Sequence, residues 1–330
     1  MDGTELCYLP ATELAAAIGR GDVSSAEAVD AVLERLDRVN PAVNAFALVL
    51  ADDARAAALA ADGTPREARG PLHGVPFTIK DMTPVAGLPM SFGSKAFAGH
   101  VSDATSAWVE RVLGAGAILV GKTTTSEFGN KALCESPLLG TTNNPWRPTH
   151  VSGGSSGGAA AAVAAGIGPL AQGGDAAGSV RVPASCCGVV GVKPSFGRVP
   201  IYPAFSSFET VIHDGPITRT VADAALMLQV MAGPDQRDAY SLEDTSFDFP
   251  AAVAAPSVKG LRVAYSRTFG FAEVEPAVLT STDHAARVFA EQLGAIVEGV
   301  DPDVPDPREH EILFWGVFEG LWATDLVLPG

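Results

Sequence analysis

Basic residues are scarce in this chain: 22 Lys and Arg face 38 Asp and Glu across 330 residues, a net charge of −16. So acidic a surface opposes binding that works by releasing counterions from phosphates, and no basic run or basic amphipathic helix offsets it. Nucleic acid is therefore not expected as a direct ligand. The first ten residues, MDGTELCYLP, lack both a positive n-region and an apolar core, which argues against export. The longest small-apolar stretch, residues 159–171, is Ala- and Gly-rich and holds Pro169, which argues against membrane insertion. Cysteine is sparse as well. Four in a chain this long make no disulfide framework, Cys186 and Cys187 are adjacent, and neither CxxC nor a His-spaced zinc pattern occurs. The expectation is a reducing cytoplasm and no metal.

What is present is apolar content, 47% of residues, enough for a buried core. At roughly 150 residues per domain the length allows two domains, yet large α/β enzymes run this long around one sheet, so one domain is the starting assumption. The N-terminal end reads as a strand-like scrap. Ser24 and Glu27 then form a capping box, Val29, Val32, Leu33, Leu36 and Val39 recur at helical spacing, and Asn40 and Pro41 stop the run. Further on, 43–50 is strand-like, 51–62 helical, and 75–81 a short apolar strand that Lys80 ends. A helix with Trp108, Val109, Val112 and Leu113 leads to a strand at 117–120, and an Ala-rich helix lies between two Gly/Ser loops. After a short apolar run at 189–192 come a helix at 220–231, a linker-like stretch at 233–257, and strands at 261–265 and 295–300 flanking a helix through Val288 and Phe289. This alternation argues for an α/β layered fold. Near the C-terminus, Ile312, Leu313, Trp315, Val317, Phe318, Leu321 and Trp322 give a helix with a broad apolar face, which needs a partner, a second copy or further chain to cover it.

Gly116, Gly121, Lys122 and Thr123 satisfy the spacing of a phosphate-binding loop. The intervening residues 117–120, however, are an apolar run that reads as a buried strand rather than a curl of exposed N–H groups, and no GxGxxG accompanies it. More informative are two glycine-flanked serines, Ser155 in GGSSGG and Ser179 in GDAAGSVR. A nucleophilic serine needs a base and nearby N–H donors, and a glycine-rich turn supplies donors. On composition alone the same loops read equally well as plain turns. No GxSxG occurs, and none of the six histidines has a Ser-His-Asp context. Lys80, flanked by Phe77, Ile79 and Met82, is the better base, because burial would favour its neutral form. An isolated lysine at a strand end is more commonly solvated or salt-bridged.

Four segments taken together, 74–81 (GVPFTIKD), 121–129 (GKTTTSEFG), 153–158 (GGSSGG) and 175–185 (DAAGSVRVPAS) followed by 188–197, resemble the amidase signature family of serine hydrolases in order and spacing. The resemblance extends from about Leu14 to Asp303. It implies an α/β/α layered single domain with a mixed central β-sheet, here residues 1–330. It also implies a triad of Ser179 as acylated nucleophile, Ser155 as bridging serine after a cis peptide bond from Gly154, and Lys80 as base. Backbone N–H groups of Ala176, Ala177, Gly178 and Ser179 would hold the oxyanion, with Gly154 beside the substrate. Asp175 and Arg181 would fix the nucleophile loop, and Asp81 a neighbouring turn.

The implied activity is hydrolysis of a carboxylic amide to acid plus ammonia or amine, with a small-molecule substrate, no cofactor and no metal. Two departures stand out. The family pattern usually reads Asp-Thr-Gly-Gly-Ser where this chain has Asp175-Ala176-Ala177-Gly178-Ser179, so Ala177 would be harmful only if that position needed a positive φ. Family members also continue well past residue 330, which puts a partial sequence among the expectations. The alternatives are the glutaminase subunit of a tRNA-dependent amidotransferase and a catalytically silent, truncated homologue. The C-terminal apolar face also fits a homo-oligomer.

Overall fold

Asp2 accepts from the N–H groups of Thr4 and Glu5, and Glu5 reaches back to the Asp2 N–H, so a capping box makes helix α1 (Gly3–Tyr8) of the stretch expected as strand. The computed structural model describes residues 2–204, 210–243, 246–254 and 257–327, with 318–327 by backbone alone. The chain divides into two compact units, Met1–Ala254 and Ala255–Gly330.

In the first unit α2 (Ala11–Arg20) is followed by α3 (Ser25–Val43), which opens on the expected Ser24–Glu27 box. This helix runs past the expected stop at Asn40 and Pro41. Its last turn closes because the Asn40 carbonyl accepts from Asn44 N–H at 2.7 Å while its side chain accepts from Ala45 N–H. There follow β1 (Phe46–Val49), α4 (Ala51–Asp62), β2 (Pro76–Lys80), α5 (Ala107–Gly114) and β3 (Ile118–Thr123). A two-residue hairpin, β4 (Glu135–Ser136) and β5 (Gly140–Thr141), precedes α6 (Gly157–Ala164), β6 (Leu170–Asp175), α7 (Arg181–Cys187) and β7 (Val190–Gly191). The unit ends with β8 (His213–Thr218), α8 (Val221–Met231) and α9 (Phe249–Ala254), the last lying inside the stretch that reads as linker.

Six strands form one mixed sheet in the order β1-β3-β2-β6-β8-β7, with β3, β2 and β6 parallel and the remaining pairings antiparallel. Two apolar clusters cover its faces. Val29, Val32, Leu36, Ala54 and the alanines of α6 pack on one side against Val120, Ala171 and Ile217. Leu14, Trp108, Val112, Met227 and Met231 pack on the other against Phe77, Ile79 and Leu170. The period-2 alternation of strands sets which residue meets which layer. The run 117–120 belongs to β3, and Lys122 is fully buried with Nζ donating to the Pro89 carbonyl at 2.7 Å, so no phosphate loop forms.

In the second unit β9 (Arg262–Tyr265) and β10 (Ile296–Gly299) pair in parallel, joined by α10 (Pro276–Arg287), whose end widens into a π-turn at Val288–Gln292. Helix α11 (Arg308–Val327) follows. Ile312, Leu313 and Val317 on it are exposed, whereas the side chains of Phe318, Leu321 and Trp322 lie outside the described residues.

Candidate active site

Strand β2 is buried along its whole length, and its alternation sends Phe77 and Ile79 into the α2–α5–α8 layer. Lys80 therefore projects toward the α6 layer. It is 4% exposed, and its Nζ donates to Ser155 Oγ at 2.6 Å. Burial pulls this amine down to about 8, against the opposing pull of Cys134, Asp214, Asp175 and Asp81.

Ser155 sits in the glycine loop that leads into α6, and the Gly154–Ser155 peptide bond is cis, as the family resemblance implied. Gly154 has no room for a side chain: an added Cβ would stand 2.6 Å from the Leu133 carbonyl carbon. Next to it, Ser156 N–H donates to the Ser179 carbonyl at 3.2 Å, which ties the Ser155 loop to the Ser179 loop.

The loop that carries Ser179 is organised around Asp175, the last residue of β6 and itself fully buried. Its carboxylate accepts from Gly178 N–H at 2.7 Å, from Val180 N–H at 3.1 Å, from Arg181 N–H at 3.4 Å and from two guanidinium nitrogens of Arg181 at 2.9 Å each. Burial alone would raise this carboxyl, but Arg181 and the Gly178 and Val180 backbone donors hold it below the usual range. Gly178 takes φ 109°, a conformation that favours glycine, whereas Ala177 has no positive φ and its methyl group is tolerated. The Gly178 N–H is thus engaged by Asp175. Those of Ala176, Ala177 and Ser179 have no partner among the described residues. Ser179 is half-buried, and its hydroxyl makes no hydrogen bond among the described residues. Lys80 and Ser155 are therefore in direct contact, while Ser179 joins them through the backbone of its loop.

The Asp81 carboxylate accepts from Ser91 N–H and Oγ and from Gly93 N–H, closing the loop that follows β2. Sequence reasoning missed Gln172 on β6, Asp214 on β8 and Trp108 Nε1 on α5, which are linked to one another and to the Lys80 backbone. Gln172 carried a usable signal, being an amide within an apolar strand next to the glycine-rich Ser179 loop; Asp214 carried none. No group of His, Cys, Asp and Glu suited to a metal ion occurs among the described residues, and no described helix is long and apolar enough to cross a membrane.

Comparison with known proteins bears on this arrangement. The family model described as Amidase matches residues 27–325. An acylamidase of Rhodococcus erythropolis is 44% identical over 325 residues, covering 98% of this chain and 66% of its own length. A glutamyl-tRNA(Gln) amidotransferase subunit of Chloroflexus aurantiacus is 40% identical over 307 residues, covering 92% of this chain and 62% of its own length. Among solved structures, a bacterial aryl acylamidase of the amidase signature enzymes superposes with a TM-score of 0.87 at 33% identity, over 93% of this chain and 64% of that one. A 6-aminohexanoate cyclic dimer hydrolase gives 0.82 at 32% identity, over 89% and 61%. This chain thus spans about two thirds or less of the length of each of these proteins. The match to the family along nearly the whole chain, on an α/β fold with a mixed sheet, shows that the chain belongs to the amidase family of amidase signature enzymes.

Proposed function

We propose that this chain hydrolyses a carboxylic amide of a small molecule to an acid and ammonia or an amine, with Ser179 as nucleophile, Ser155 as proton bridge and Lys80 as base. The observation that carries the reading is the 2.6 Å contact between the buried Lys80 amine and Ser155 Oγ. Family membership supports it, as do relatives named acylamidase and aryl acylamidase.

Neutral Lys80 accepts the Ser155 proton while Ser155 takes that of Ser179, whose Oγ attacks the amide carbonyl. The resulting oxyanion lies against the N–H groups of Ala176, Ala177 and Ser179, which carry no other partner among the described residues. Gly178 serves through its conformation, its own N–H being held by Asp175. Collapse breaks the C–N bond, and the leaving nitrogen takes the proton returned through Ser155. Water, deprotonated by the same route, then attacks the acyl-Ser179 ester and releases the acid. No cofactor has a role in this sequence. The family match runs through both compact units, which supports reading residues 1–330 as one amidase signature domain. A cytoplasmic location and association of the apolar α11 residues with a second copy complete the proposal.

The relatives named as glutamyl-tRNA(Gln) amidotransferase subunits support a second reading, a glutaminase that feeds ammonia to partner proteins. A panel of acyl, aryl and peptide amides plus glutamine, assayed for released nitrogen, separates the two. We expect turnover of simple amides without a partner, and a loss of at least about 10³-fold in Ser179→Ala, Ser155→Ala and Lys80→Ala. Activity restricted to glutamine, or a folded Ser179→Ala as active as wild type, would reject the reading.

A further inference from the structure

Lys80 is gripped from both faces of the sheet. Its amine meets Ser155 on the α6 side, while on the other side its own N–H donates to Gln172 Oε1 at 3.0 Å. The same oxygen accepts from Thr83 Oγ1 at 2.8 Å, so one amide spans both ends of the turn after β2. Because Oε1 faces two donors, the amide must present Nε2 on its other side. There Nε2 donates to Asp214 Oδ1 at 2.6 Å, and Asp214 Oδ2 accepts from Trp108 Nε1 at 2.8 Å. A carboxylate satisfies both donors, whereas a carboxamide in its place offers one acceptor for two N–H groups. Strand pairing fixes this alignment, since Gln172 stands opposite Pro216 and Gly174 opposite Asp214 across β6 and β8.

We propose that Gln172 and Asp214 are positioning residues for Lys80, an amide–carboxylate relay on the far face of the sheet that holds the backbone from which the base projects and tunes its charge. The proposal rests on the serine–lysine reading above. Desolvation lifts the Asp214 carboxyl to about 6, so it is anionic where the base operates, and its charge raises the affinity of Lys80 for a proton. The other groups that act on Lys80 are Cys134, Asp175 and Asp81, with Lys122 beyond Asp81 and Arg181 on Asp175, and the substitutions below leave all of them in place.

The test is the rate at which a fluorophosphonate modifies Ser179, followed from about pH 6 to about pH 10 in wild type, Gln172→Met and Asp214→Asn, with circular dichroism confirming that each is folded. Gln172→Met keeps the side-chain volume and is expected to label roughly tenfold more slowly. Asp214→Asn is expected to move the acidic limb of the profile to lower pH by about half a unit or more, since removing an anion eases deprotonation of Lys80. Wild-type rates and limbs in both folded variants overturn the proposal, and so does a slower Asp214→Asn whose limb has not moved, which is the mark of packing alone. If wild type itself is not labelled, the hydrolase reading fails separately, and isotope-edited NMR of the lysine Cε still decides the relay. The Lys80 midpoint falls in Asp214→Asn if the relay operates and stays fixed if it does not.

Discussion

Two lysines lie buried in the same sheet, on adjacent parallel strands, with their charge suppressed to the same degree and for different ends. Burial pulls both Lys80 and Lys122 down to about 8. Lys80 delivers its amine to a serine hydroxyl, whereas Lys122 delivers its amine to the Pro89 carbonyl and holds a loop. A folded-state value below the unfolded one means that the unfolded chain binds more protons between about 8 and 10.5, so each lysine makes stability rise with pH across that window, by on the order of 3 kcal/mol. Below about 8 both states are protonated and the dependence ends. Lys122→Met should flatten this rise by about half in urea titrations repeated across the window while leaving the pH profile of Ser179 modification unchanged. A shifted labelling profile in that variant would show that Lys122 belongs to the catalytic machinery. The sequence distinguished the two only in part. Lys80 stood out by its apolar neighbours and by the base role the family pattern gives it, whereas Lys122 lay within the family segment 121–129 without a role and drew notice through a phosphate-loop spacing that the strand it sits in makes irrelevant.

At the scale of elements, most helices and strands were legible because their periodicity, caps and glycines agree with one another. Helix α4 falls where the pattern placed it, and the Ser24 box starts α3 as expected. The misses have specific causes. Strand β8 was invisible because Asp214, Gly215 and Pro216 give it the composition of a turn, although Gly215 is needed there by the close approach of the Val192 backbone. Helix α1 was hidden by its shortness, since its capping box is plain only once the chain is known to turn there. The Ser179 loop is the element on which the proposed chemistry depends most, and the Asp175 carboxylate organises it by accepting five hydrogen bonds. Asp175→Ala leaves three backbone N–H groups, those of Gly178, Val180 and Arg181, without their acceptor and is expected to cost about 2–4 kcal/mol in thermal or denaturant unfolding. The variant should also slow Ser179 modification by more than any global unfolding accounts for. Stability within about 0.5 kcal/mol of wild type would contradict this account of the loop.

At the scale of the whole molecule, family membership was readable because the family's short segments recur in fixed order, and the fold brings all four together: Lys80, Ser155 and Ser179 come from three of them, and the fourth, 121–129, pairs Thr123 with Lys80 across β3 and β2. The identity of the amide was not readable. Substrate choice depends on side chains around the acyl and leaving groups that follow no period and no motif, and this chain spans only 61–66% of the length of the proteins it was compared with. The division of labour in the proposed mechanism is clearer: β2 would supply the base, the loop before α6 the bridge, and the turn after β6 the nucleophile and its N–H donors. The central claim is that this assembly activates Ser179. It is tested most directly by treating the folded chain with a fluorophosphonate and mapping the adduct by peptide mass spectrometry at several pH values. The account predicts one adduct, on Ser179, absent from Ser179→Ala, forming faster as pH rises through about 8 and much more slowly in Lys80→Ala. No adduct on the folded wild-type chain, or an adduct on another residue that persists in Ser179→Ala, would contradict it.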